Sequence, residues 1–145
     1  MFALPTQRLV ILASAFGLFL AADSVLAYKQ FQDAFVEMYL DEHPDADFVK
    51  MCRKKAKCNI CHQGKKKHNN NPYGEAFVGK LTKKDRKDEE KIVQALLDVG
   101  GLKANPDDEN SPTYAELIAS SKLPAGDLDS VKQEPENDEH DAKGK

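Results

Sequence analysis

Residues 58 to 62 read Cys58-Asn59-Ile60-Cys61-His62, and no other feature limits so tightly what this chain can fold into. Two thiols separated by two residues converge on one small centre, and the imidazole directly behind the second thiol is carried to the same place. Thiols at this spacing add across the two vinyl groups of one porphyrin, while the neighbouring histidine binds its iron. A chain built on such a string is expected to fold around a flat apolar group rather than around its own side chains alone.

The amino-terminal segment agrees with that chemistry. Arg8 precedes an uncharged run from Leu9 to Ala22, followed by Asp23-Ser24-Val25-Leu26-Ala27, with small residues where a signal peptidase cuts. A membrane span needs roughly 20 apolar residues, more than this run supplies before Asp23 interrupts it. The reading is an export signal over residues 1–27, cut after Ala27, and a periplasmic or otherwise exported product with no stable membrane anchor after signal removal.

The chain from Tyr28 onward is enough for one small domain with a modest core, which a covalently held cofactor would enlarge. The formal net charge of −3 suggests no nucleic-acid partner. Its distribution is uneven: Lys50, Arg53, Lys54, Lys55, Lys57, Lys65, Lys66 and Lys67 surround the Cys-His string, with no acidic residue between Lys50 and Asn71. Such lysines either form an ordinary solvated face or, as a one-signed patch, steer an acidic redox partner.

Helical periodicity dominates elsewhere. Phe31, Phe35 and Met38 give a helix over Gln30 to Leu40, and a second begins near Asp45, buries Phe48, Met51, Cys52 and Ala56, and runs into Cys58. Residues 63–74 read as a loop. A third helix is expected from Glu75 through Ala76, Phe77 and Leu81, a fourth over Asp88 to Val99 closed by Gly100-Gly101, and a last one after Ser111-Pro112 with Tyr114, Leu117 and Ile118. Pro124 ends that order, leaving a domain over residues 28–125 and an acidic, disordered tail over 126–145. No strand is expected.

With these residues in place the chain resembles the small monohaem c-type cytochromes, exported all-helical electron carriers. The resemblance implies an all-α, cytochrome c-like domain wrapped around one covalent haem c, with Cys58 and Cys61 as thioether cysteines and His62 as the proximal iron ligand. Asn71-Pro72-Tyr73-Gly74 is similar to a family turn whose proline carbonyl holds the other imidazole nitrogen, a role that falls on Pro72. The family's late methionine ligand is replaced: the corresponding turn reads Ser121-Lys122-Leu123-Pro124, and leucine cannot bind iron. Met51 and His68, with Met38 and His43 behind them, are the candidate distal ligands, and a vacant or water-bound position is the alternative. Phe48, Phe77, Leu96, Leu97, Tyr114 and Leu117 are the expected pocket wall. The implied function is electron transfer without a substrate of its own; the alternative is a haem protein that binds small ligands or acts on peroxide at an open iron.

Two other chemistries use the same residue types. A zinc site would draw on Cys52, Cys58, Cys61, His62 and His68, but such sites recruit two separated ligand pairs and only one is present. A dithiol exchanger carries its C-x-x-C at the start of a helix after a strand, and no strand precedes Cys58. Cys52 is left over, either as a small buried hydrophobe or as an intermolecular crosslink.

Overall fold

The apolar stripe of the fourth segment and the aromatic face of the first determine the architecture, because each buries against the other. The computed structural model describes residues 28–135, so the export signal expected over 1–27 lies outside the described residues. Helix α1 spans Lys29–Tyr39, and α4 spans Glu89–Gly100 with Ile92, Ala95, Leu96 and Val99 turned inward. Asp88 caps α4 by accepting from Lys91 N at 3.0 Å, and Glu89 and Glu90 occupy its positive end. Where the two helices meet, Tyr39 donates its hydroxyl hydrogen to the Leu96 carbonyl at 3.0 Å, and the same hydroxyl occupies the space a side chain at Gly100 would need.

The second helix, α2, spans Ala46–Met51 behind its Asp45 cap, whose carboxylate accepts from Asp47 N at 3.0 Å and Phe48 N at 2.9 Å. It does not run regularly into Cys58. A π-helical turn over Cys52–Ala56 leads to Lys57 at φ +47°, then a 3-10 turn over Lys57–Ile60 carries the first thiol. π turns are uncommon and concentrate at functional sites, and a positive φ at a lysine is strained. Phe48, Cys52 and Ala56 are buried as expected, whereas Met51 is only half-buried.

Two expectations change. The third helix, α3, covers Pro72–Glu75 and so ends where the sequence pattern would begin it; Asn71 caps it, Pro72 starts it, and Gly79 at φ +79° closes the turns beyond it. Of the disordered tail expected over 126–145, the described part holds a helix, α6, over Leu128–Lys132, with Val131 only 1% exposed, and residues 136–145 lie outside the described residues. Between these lie a 3-10 turn over Lys83–Lys87 and helix α5 over Tyr114–Ala119, entered through a Thr113–Glu116 capping box. All named elements among the described residues are helical, which bears out the all-α class; the extended pairings among them are two isolated bridges.

The core is one cluster in which Tyr73 is fully buried, with the rings of Phe35, Phe77 and Tyr114 edge-on around it at 5.1 to 6.2 Å. Gly100→Ala is expected to lose about 1–2 kcal/mol in urea denaturation despite alanine's better helix propensity, because the added methyl overlaps the Tyr39 hydroxyl. Adding Tyr39→Phe should recover most of that loss; a double variant no more stable than Gly100→Ala alone would place the cost elsewhere.

Candidate functional site

The segment 58–62 ends a helical run, so its last carbonyls have no helical partners of their own. Asn71 supplies them. Its Nδ2 donates to the Asn59 and Ile60 carbonyls, both at 3.0 Å, and its backbone N–H donates to the Cys61 carbonyl at 3.0 Å. Its Oδ1 accepts from Gly74 N at 2.9 Å, so a side chain 1% exposed has its polar atoms satisfied. The turn over 71–74 lies directly on the thiol segment: a Cβ at Gly74 would overlap the Cys61 carbonyl oxygen.

From the other side α6 clamps the same loop. Asn59, between the two cysteines, directs Nδ2 toward the carbonyls of His62 at 3.1 Å, Gly64 at 2.8 Å and Val131 at 3.3 Å. Gly64 N donates to Val131 O at 2.9 Å, and Gln63 Nε2 donates to Ser130 O and Gln133 O, both at 2.7 Å.

Held this way, Cys58, Cys61 and His62 open on one mostly apolar cleft of about 240 Å³. Phe31 and Phe35 of α1, Ile60, Phe77, Leu81, and Ile92 and Leu96 of α4 form its walls, while Lys29, Lys57 and Lys67 lie at its edge. His62 is 4% exposed and its Nδ1 is buried without a hydrogen-bond partner among the described residues. Burial pushes the imidazole pKa down, and nearby Lys67 adds to this, while the Asn69 carbonyl and the Asn70 side chain pull the other way. Burial, then neighbouring Cys58, pushes the Cys61 thiol up to about 12; burial takes Cys52 to about 11. Both Cys61 and His62 are therefore neutral near pH 7. Among the described residues no three His, Cys, Asp or Glu side chains converge as a metal-binding set.

Two thiols and a neutral imidazole on one apolar cleft are the donor set that a c-type haem requires, and the buried Nδ1 leaves that ring with unused capacity; on these grounds the residues fit the group. Two of the six expected wall residues are in place. Phe77 and Leu96 line the cleft; Phe48 and Tyr114 are buried elsewhere in the core, Leu117 is half-buried away from it, and Leu97 is 54% exposed. None of the four distal candidates lines the cleft. Met38 and Met51 pack against the core, and His68 is exposed and engaged elsewhere. His43 uses both ring nitrogens, Nδ1 accepting from Asp45 N at 3.1 Å and Nε2 donating to the Ile118 carbonyl at 2.9 Å. Pro72 is exposed at the start of α3, and its carbonyl makes no hydrogen bond to His62 Nδ1. Asn59, Asn70, Phe31, Phe35, Leu81 and Ile92 join the site without a sequence signal that marks them for it, whereas Asn71 is marked only as part of the turn assigned to Pro72.

Asn71→Ala should lower stability by about 3 kcal/mol in urea denaturation, because the Asn59 and Ile60 carbonyls and the Gly74 N–H lose their partner inside the protein; a loss under about 1 kcal/mol would mean that water replaces the amide. Iodoacetamide labelling of the haem-free protein at pH 8 should modify Cys61 about 30-fold more slowly folded than in urea. The roughly thousandfold loss of thiolate at a pKa near 12 is partly offset by the greater nucleophilicity of a more basic thiolate. Equal rates would show the thiol to be unperturbed.

No described helix is long and apolar enough to cross a membrane. Compared with protein-family models, curated proteins and solved structures, the chain matches none of them, so its functional reading rests on its own residues.

Proposed function

We propose that this chain is an exported monohaem protein of the cytochrome c type, carrying one covalent haem c and working in periplasmic electron transfer with a redox partner protein. The observation that carries the reading is the convergence of Cys58, Cys61 and His62 on one cleft whose walls are aromatic and aliphatic. When bound, the group would supply one-electron cycling between ferrous and ferric iron. The residues around it have separable tasks: Cys58 and Cys61 tether, His62 offers a neutral imidazole, Phe31, Phe35, Phe77, Leu81, Ile92 and Leu96 exclude water, and Lys29, Lys57 and Lys67 present positive charge to an acidic partner.

A specific observation favours a second reading of the same site. Met38, Met51, His43 and His68 all lie outside the cleft lining, so an iron bound by His62 would have no methionine or second histidine at hand. An iron left open there would bind small ligands, which gives the chain a ligand-binding or peroxidatic role.

Mass spectrometry of protein exported from cells competent in haem attachment should find residues 1–27 removed and one haem added, with Cys58→Ala/Cys61→Ala releasing its pigment into acidified organic solvent. An unmodified mass would overturn the haem reading. Carbon monoxide then decides between the roles: a reduced spectrum that it leaves unchanged supports the carrier, and a shifted one supports the open site.

A further inference from the structure

Two buried polar atoms of complementary chemistry, His62 Nδ1 and Asn70 Oδ1, lie beside the cleft without hydrogen-bond partners among the described residues. The backbone sets them against each other, since residues 62 and 70 form an isolated antiparallel bridge and Gln63 N donates to Asn69 O at 2.9 Å. Both residues line the cleft. The Asn70 amide is oriented from its other end, where Nδ2 donates to Glu75 Oε2 at 3.3 Å, leaving Oδ1 as the unused acceptor. Each orphan is destabilising by itself, and a single hydrogen bond between them removes both costs. Neither the Pro72 carbonyl, to which the resemblance assigns this role, nor Asn70 Oδ1 is hydrogen-bonded to Nδ1 here, but Asn70 Oδ1 is a buried acceptor left without a partner, and the Asn70 side chain, with the Asn69 carbonyl, acts on the ring.

We infer that Asn70, rather than Pro72, is the positioning residue for His62: its side-chain oxygen accepts the Nδ1 hydrogen, fixes the tautomer and leaves the lone pair on Nε2 for the metal. The inference rests on the haem reading above. An acceptor on the far nitrogen raises the basicity of a ligating imidazole, so a neutral amide there should favour ferric iron mildly and a carboxylate more strongly.

The test uses the haem-loaded protein and three variants, read by midpoint potential and by solvent exchange of the His62 Nδ1 proton in NMR of the reduced form. Asn70→Asp should lower the potential and Asn70→Leu should raise it, with Nδ1 exchange in Asn70→Leu about 10-fold faster than in the parent, the factor expected for loss of one hydrogen bond. Glu109→Gln, an exposed change of the same charge away from the cleft, should leave the potential where it was. Should Asn70→Leu fold poorly, Asn70→Asp and the exchange rate of the parent decide alone: a lowered potential with a slowly exchanging proton supports the inference. Potentials unchanged in both Asn70 variants would overturn it, as would a shift in Glu109→Gln as large as that in Asn70→Leu. A parent protein without a covalent haem in its mass defeats the haem reading itself, whereas a haem adduct with silent Asn70 variants defeats only the role of Asn70.

Discussion

One amide side chain, that of Asn71, holds the thiol segment in the shape on which the rest of the site depends. A helical run that ends at the cysteines leaves carbonyls facing inward, and inside an apolar core each must find a donor. Asn71 answers three of them, two through its side chain and one through its backbone, while its own oxygen starts α3. The consequence is a close approach that only glycine at position 74 permits. The turn then places Tyr73 at the centre of the aromatic cluster, so the polar clamp and the hydrophobic core are two ends of one four-residue segment.

Burial by that segment acts on sulfur and nitrogen with opposite sign. Removing water disfavours a thiolate and an imidazolium alike, so Cys61 is driven up and His62 down until both are uncharged. A neutral histidine is the form that binds a metal ion, and it is the form the cleft favours.

The parts of this architecture readable from sequence are those whose signal is local and periodic. Ile92, Leu96 and Val99 repeat on one face behind an Asp88 cap, and α4 lies within a residue of the expected limits. Leu97 shows the limit of counting apolar residues: adjacent leucines on a helix point about 100° apart, so with Leu96 inward its neighbour faces solvent. For α3, an Asn cap and a Pro at the first helical position are both visible in the sequence, yet the downstream Phe77 and Leu81 draw the expected start to Glu75. The helix α6 has no periodic signal at all. It offers one fully buried side chain, Val131, and its other anchors are the backbone carbonyls of Ser130, Val131 and Gln133, which leave no trace in residue type. Asn59 is hidden for a related reason, since it occupies a position that the C-x-x-C spacing treats as free.

The distal side of the site shows how such restraints bear on function. Of the residues that sequence offers as a second ligand, His43 is the most fully committed: its ring bridges the Asp45 cap of α2 to the end of α5 and lies 4.9 Å from the Phe48 ring. Bringing it to the cleft would break both hydrogen bonds, disturb the cap of α2 and unpack Phe48, each a separate cost. Met38 and Met51 could move only by leaving gaps in a core already modest in size. Seating His43, Met38 or Met51 on the cleft would therefore require a rearrangement against several independent contacts. Lys29, Lys57 and Lys67 give the cleft edge a positive field, which attracts anionic groups of any size.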